Sequence, residues 1–494
     1  MTTKSTEYDV IVVGAGPTGE NVADRTSAAG LSTVLVESEL VGGECSYWAC
    51  MPSKALLRPP AALAAARAVA GSREAATGTL DAAAVLARRD SFVSHWKDDG
   101  QAAWVAGAGI ELVRGEGRLD GPRRVLVRTP EGDERLLTAR HAVALCTGSR
   151  AVLPADLPGL AEAKPWTSRE ATSAQRVPER LLVVGGGVVG VEMATAWQAL
   201  GARVTLLVRG ERLLPRLEPF AGELVAAGLR AAGVVVRTGV QTTAVRRDGA
   251  VVTVRLDDGS ELAAEEVLFA TGRAPRTERL GLAGVGLVDG SWLTVDDSCA
   301  VQGAAEAPGA KGPWLYAAGD LNHRALLTHQ GKYQARIAGA AIAARALGRP
   351  LELGAWGAHA ATADLAAVPQ VVFTEPEVAA VGLSAEQAER AGHRARVVDY
   401  ELGRVAGASL VADDYQGRAR MVVDQEREVL LGVTFVGPGV GELLHAATIA
   451  VVGQVPIDRL WHAVPSYPTV SEIWLRLLET YRDAQQDDAH RDAE

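Results

Sequence analysis

Two short apolar stretches, each leading straight into a glycine-rich turn and then a helix-forming segment, constrain this chain more than any other feature. The first runs from Tyr8 to Val13, turns through Gly14-Ala15-Gly16-Pro17-Thr18-Gly19 and continues in helical character to Ala29. The second runs from Leu181 to Val184, turns through Gly185-Gly186-Gly187-Val188-Val189-Gly190 and continues to Leu200. Short buried strands alternating with helices predict parallel α/β sheets. The glycines let backbone approach a pyrophosphate closely, and the helix N-terminus that follows favours its negative charge. Two copies about 170 residues apart therefore predict two Rossmann-like dinucleotide-binding domains.

The copies differ at the end of the next strand. In the first, Glu37 closes Ser32-Thr33-Val34-Leu35-Val36, where a carboxylate would accept hydrogen bonds from an adenosine ribose. In the second the matching position is Val208, followed by Arg209 and, nearby, Arg212. A missing acid with arginine in its place suits a 2′-phosphate, so NADPH is favoured over NADH.

The chain has 494 residues, too many for one core. Between the two copies, Ala55 to Ala108 reads as long helices. Residues 110–145 and 234–267 read as strands with turns at Asp120-Gly121-Pro122, Glu131-Gly132 and Asp257-Asp258-Gly259. Val301 to Gly312 reads as an exposed low-complexity loop. From about Val368 strands and helices continue without a glycine fingerprint, which predicts a separate C-terminal α+β domain. The expected division is 1–155 (first cofactor domain, first part), 156–288 (second nucleotide domain), 289–360 (return to the first domain), 361–482 (C-terminal domain) and a disordered tail, 483–494.

A formal net charge of -10 argues against a nucleic-acid partner, which calls for a basic face. The N-terminus has no apolar signal region. Leu181 to Ala202 is apolar but holds five glycines and Glu192, so it parses as strand, turn and helix rather than a membrane span. These readings place the chain in the cytoplasm, with no membrane partner.

Only four cysteines occur, too few for a secreted disulfide framework. Cys146 and Cys299 read as structural thiols. Cys45 and Cys50 lie five positions apart in Gly42-Gly43-Glu44-Cys45-Ser46-Tyr47-Trp48-Ala49-Cys50-Met51-Pro52-Ser53-Lys54. In a regular helix residues so spaced diverge by about 140°, and a disulfide needs Cα atoms within roughly 7 Å. The pair can close only if the segment is distorted or just entering a helix, and Pro52 suits such a start. A strained pair at a helix N-terminus is of the labile, catalytic kind. Metal binding and two inert thiols are the rival readings; no second Cys or His cluster at ligand spacing is visible, so no metal is expected.

On this segment the chain resembles the class I pyridine nucleotide-disulfide oxidoreductases, the family of glutathione reductase, dihydrolipoamide dehydrogenase and mercuric reductase, with soluble transhydrogenase as a relative. The signature GGxCxxxxCxPSK is matched at Gly42, Gly43, Cys45, Cys50, Pro52, Ser53 and Lys54. Further matches are Thr147-Gly148-Ser149, Ala270-Thr271-Gly272-Arg273, Ala318-Gly319-Asp320, and Val378 to Leu383 in the family's dimerisation domain. The resemblance runs from about residue 7 to 480. It implies FAD on Gly14, Gly16, Pro17, Gly19, Glu37, Gly42, Gly43, Thr147, Gly148, Gly319, Asp320 and Thr328. It implies NADPH on Gly185, Gly187, Gly190, Arg209, Arg212 and Gly272, and a homodimer.

By the same resemblance Cys50 is the thiol facing the flavin and Cys45 the interchange thiol. Lys54, paired with Glu192, favours reduced flavin. Electrons pass from NADPH through flavin to the dithiol and on to a small-molecule disulfide. The chain departs from the family near its C-terminus, where Tyr467 stands in place of the acid/base histidine, with Glu472 following. A phenol with an ordinary pKa near 10 is a poor base at pH 7, and His462 is the other candidate for that role. The departure also suits a diaphorase or transhydrogenase-like enzyme that reduces a quinone-like acceptor directly from flavin. A flavin-loaded redox sensor with little turnover is a third reading.

Overall fold

The computed structural model describes residues 6–309 and 312–491. Contacts group the chain into two compact units, one of residues 1–52, 90–152 and 272–365, the other of residues 53–89, 153–271 and 366–494.

The first unit is built on β1 (Thr6–Val13), α1 (Pro17–Ala28) and β2 (Thr33–Glu37). Val10 to Val13 and Val34 to Val36 are buried, and the strands pair in parallel with Val10 opposite Thr33. The sheet continues with β3 (Glu111–Arg114), β4 (Glu116–Leu119), β5 (Arg124–Arg128) and β6 (Glu134–Leu145), in the order β3-β2-β1-β6-β5-β4. The strand Leu315–Ala317 joins it alongside β6. β1, β2, β3 and β6 run parallel, whereas β4 and β5 form an antiparallel extension. Pro17 opens α1, where its fixed φ and missing N–H cost nothing. The helix Thr328–Ala346 packs closely on α1, because Gly331 and Gly339 leave room that a Cβ would fill: it would lie 2.4 Å from Thr18 Oγ1 or 2.6 Å from Arg25 Cβ.

The second unit carries a four-stranded parallel sheet of Val235–Thr238, Arg203–Val208, Arg180–Val184 and Glu266–Phe269, in that order. The helix Val188–Ala199 follows the second glycine turn and buries Trp197 completely. A three-stranded antiparallel sheet spans 242–264. A five-stranded antiparallel sheet spans 370–437, its strand Val429–Gly437 buried along its whole length. Helices Leu444–Val452 and Ile473–Arg491 pack on it. Two Rossmann-like sheets and a C-terminal α+β region are as expected.

Two sequence expectations change. Ala55 to Ala108 is helical but broken, into α3 (Cys50–Arg67) and shorter helices at Ser72–Ala75, Ala82–Phe92 and Asp99–Gly107, where Gly71 and Gly78 interrupt it. The tail expected to be disordered from Asp483 instead continues the last helix through Arg491. Tyr481 is buried there and Gln485 donates to Glu428 at 3.3 Å. Residues 492–494 lie outside the described residues, as do Ala310 and Lys311 of the expected loop.

Candidate functional site

In the first unit the backbone does what the cysteine spacing requires. α2 (Gly43–Tyr47) ends at Trp48, whose φ of -138° leaves the helix, and α3 begins at Cys50. The break brings both sulfurs together. Cys45 is hydrogen-bonded to Cys50, and Cys50 Sγ lies 3.2 Å from Thr328 Oγ1. Both residues are half-buried thiols in this structure. The hydrogen bond with Cys50, then burial, hold the Cys45 thiol far above the ordinary thiol range, with Thr328 and Lys332 only partly offsetting them.

The glycine turn beside them is shaped by close approach. A Cβ on Gly19 would lie 1.8 Å from Gly14 O, and one on Gly14, at φ +98°, would lie 2.5 Å from Cys146 O. At Gly16 a Cβ would meet nothing, so the mouth of the turn stays open. The first turn of α1 has no side-chain cap, which leaves its N–H groups for a ligand. Glu37 is buried at this mouth and accepts from Ala15 N and Glu39 N, each at 2.7 Å. Burial raises its pKa despite those two bonds. Asp320 accepts from Ser149 Oγ and lies 3.9 Å from Arg273; burial raises its pKa too. Thr147 Oγ1 donates to Arg276 O, and Gly148 has φ +71° with open space where a Cβ would sit. Gly42 and Gly43 both have positive φ, and a Cβ on Gly43 would touch Gly16 Cα at 2.8 Å. An open, uncapped turn with carboxylates at either side fits an extended dinucleotide such as FAD.

Sequence reading missed Glu20, in the first turn of α1. Its Oε1 is buried without a hydrogen-bond partner, and burial pushes its pKa up to about 7, against the opposing pull of Lys332. An acid directly after the third glycine was the available signal.

In the second unit the other glycine turn repeats the geometry. A Cβ on Gly190 would lie 1.9 Å from Gly185 O, one on Gly185 (φ +122°) would lie 2.3 Å from Ala270 O, and one on Gly187 would meet nothing. Val208 is buried, Arg209 is exposed, and Arg212 is half-buried, 3.7 Å from Glu386. Gly272, at φ +138°, belongs to the first unit and is not grouped with the Gly185–Gly190 turn. Lys54 Nζ lies 2.8 Å from Glu192 Oε2, and Phe373 N donates to Glu192 Oε1 at 3.0 Å. Phe373, also missed, holds its ring 5.0 Å from the Lys54 ammonium. Tyr467 is 76% exposed, whereas Glu472 is 5% exposed and accepts from Gly407 N at 3.4 Å. Among the described residues no hydrogen bond joins Tyr467 to Glu472, and His462 is exposed. Among the described residues no cluster of three metal-ligating side chains occurs, and no helix is long and apolar enough to cross a membrane.

Two mononucleotide-type turns, a paired dithiol and a Lys–Glu pair on one chain define a dithiol flavoenzyme, and the comparisons agree. Residues 8–344 match the pyridine nucleotide-disulphide oxidoreductase family and residues 368–477 its dimerisation domain, so the chain belongs to that family. It is 33% identical over 472 residues to a dihydrolipoyl dehydrogenase of Thermus scotoductus, covering 94% of this chain and 95% of that protein. It is 31% identical to a mercuric reductase of Acidithiobacillus ferrooxidans, covering 97% and 84%. The fold is similar to that of the HOCl-induced flavoprotein disulfide reductase RclA of Escherichia coli, with a TM-score of 0.81 at 22% identity over 96% of this chain and 99% of that one. It is likewise similar to LpdA of Mycobacterium tuberculosis, with a TM-score of 0.80 at 23% identity over 96% and 99%. The family's members are NAD(P)H-dependent flavoprotein disulfide oxidoreductases that use FAD, and this chain is an enzyme of that class.

Proposed function

We propose that this chain is an NADPH-dependent reductase of a small-molecule disulfide, with Cys45 and Cys50 as its redox-active pair. The hydrogen-bonded sulfurs beside Thr328 carry this reading. Bound FAD supplies two-electron transfer between nicotinamide and the thiols. Gly14, Gly16, Pro17, Gly19, Gly42 and Gly43 would cradle its pyrophosphate, and Glu37 its adenosine ribose. Thr147, Gly148, Gly319, Asp320 and Thr328 would line the rest.

Cys45 attacks one sulfur of the acceptor disulfide, forming a mixed disulfide, and the proton it gives up goes to the sulfur that leaves as the first thiol. Cys50 then displaces the second thiol as the Cys45–Cys50 disulfide closes. Tyr467 donates a hydrogen bond to the leaving sulfur, and Glu472 steadies its loop. Lys54, held by Glu192, would supply positive charge toward bound FAD. Gly185, Gly187 and Gly190 would admit NADPH, with Arg209 and Arg212 facing its 2′-phosphate.

The exposed Leu410, Ile449, Val464 and Tyr467 on the dimerisation segment support a homodimer. The sparse cysteines support a cytoplasmic site of action. The division 1–155, 156–288, 289–360 and 361–482 is the domain scheme that suits these roles. A phenol where the family has an acid/base histidine favours a second reading, direct transfer from flavin to a quinone-like acceptor.

Anaerobic titration with NADPH separates the two. The first reading expects a long-wavelength thiolate-to-flavin band at two electrons and loss of disulfide turnover in Cys45→Ser. Direct flavin bleaching, with Cys45→Ser retaining most turnover, would overturn it in favour of the second.

A further inference from the structure

Three consecutive residues, Ser94, His95 and Trp96, adopt left-handed backbone at φ 49°, 51° and 55°. None is glycine, and a run of three such residues persists only where surrounding contacts impose it. Hydrogen bonds from this turn and the two residues after it reach the segment that carries Cys45. Trp96 Nε1 donates to Tyr47 O at 3.2 Å, satisfying a carbonyl at the C-terminal end of α2. The buried Tyr47 hydroxyl lies 3.0 Å from Val41 O and 3.4 Å from Lys97 O. Asp98 Oδ2 accepts from Val41 N at 2.7 Å and is itself held by Arg114 at 2.7 Å. Residues 96–98 thus grip both ends of 41–47, with Cys45 between, immediately before the break that delivers Cys50.

The geometry points to residues 94–98 as a clasp that sets the position of Cys45 relative to Cys50, with Trp96 and Asp98 as positioning residues for the dithiol. This rests on the assignment of Cys45 and Cys50 as the redox pair. α2 has only five residues and leaves helical backbone at Trp48, so its own hydrogen bonds cannot hold a sulfur in register. Fixing both ends restricts the dithiol to conformations from which the bond closes. Loosening either end lowers the effective concentration of one thiol at the other and makes the disulfide easier to reduce.

The test equilibrates holoenzyme anaerobically in dithiothreitol redox buffers, traps thiols by alkylation and counts them by mass spectrometry. Two electrons and two protons pass from dithiothreitol, which closes to its cyclic disulfide, to the Cys45–Cys50 disulfide, which opens to two thiols. Trp96→Phe keeps the ring and removes the donor; it should shift the midpoint about tenfold toward dithiol, about 30 mV for a two-electron couple. Asp98→Ala should shift it the same way and carries the test should Trp96→Phe fold poorly. His95→Gly tolerates the left-handed turn and keeps every clasp contact, so it should match wild type, as should Trp104→Phe at an exposed site. Midpoints of Trp96→Phe and Asp98→Ala within twofold of wild type, with native circular dichroism, would overturn the clasp. So would a shift in His95→Gly equal to theirs. Wild-type enzyme that forms no Cys45–Cys50 bond in any buffer would instead overturn the redox pair, and the clasp with it.

Discussion

The two glycine turns are built to one plan and finished with different side chains. In each, the third glycine packs on the carbonyl of the first at under 2 Å from where a Cβ would sit. The first glycine packs on the backbone of a neighbouring strand end, and the second opens to space. In the proposed function that shared part would hold a pyrophosphate. The finishing residues diverge. At the end of the next strand the first copy has Glu37, buried and bonded to the turn through Ala15 N, whereas the second has Val208, packed toward Gly186, then the exposed Arg209. After the third glycine the first copy has the half-buried acid Glu20, its Oε1 buried without a partner, the second the fully buried Val191. The backbone therefore fixes what the copies share, and two side-chain positions decide how they differ.

The largest effect should come from breaking the shared part. Gly19→Ala and Gly190→Ala each force a methyl against a backbone carbonyl that cannot move aside, at a cost of about 4 kcal/mol or more. Purified Gly19→Ala should be colourless, read from its flavin absorbance. Gly190→Ala should keep flavin and lose NADPH binding, read by titration. Next is coenzyme choice. Arg209→Ala should lower kcat/KM for NADPH relative to NADH by about 10- to 100-fold, the value of one to two charge-assisted bonds; Val208→Glu should lower it further. A ratio unchanged in both would place the 2′-phosphate elsewhere.

The smallest effect concerns Glu20. Its folded pKa is raised from 4.5 to about 7, so the folded chain binds the extra proton between those values. Its favourable contribution is present below pH 4.5 and lost as pH rises through about 7. Glu20→Gln, or Glu20→Val to copy the second turn, should therefore stabilise the protein by about 1–2 kcal/mol at pH 8 and little at pH 4.5. Denaturant midpoints at the two pH values check this; equal gains at both would show that Glu20 does not titrate in this window.

Much of the site was legible because it is local. The strand-turn-helix pattern put Gly14 and Gly185 in tight turns, where close approach leaves glycine as the only choice, and Glu37 at a strand end, and the backbone has them there. The cysteine spacing required a segment that is distorted or just entering a helix, and α3 does begin at Cys50, after α2 has ended at Tyr47. What stayed hidden was set by partners far along the chain. Phe373 reaches Lys54 and Glu192 from more than 180 residues away, and Trp96 reaches Tyr47 across about 50. Neither carries a motif. The tail after Asp483 looked unstructured by composition, yet buried Tyr481 anchors the helix that runs into it.

Sequence alone determined the two glycine turns, the closely spaced cysteine pair and the family, because each is encoded by residues within a few positions of one another. Tertiary structure alone decided the burial of Glu20, the sequestering of Glu472 from Tyr467, and the left-handed clasp on Cys45. Burial and strain belong to the packed chain: a carboxyl is desolvated, or a turn forced left-handed, only by neighbours that folding brings from elsewhere.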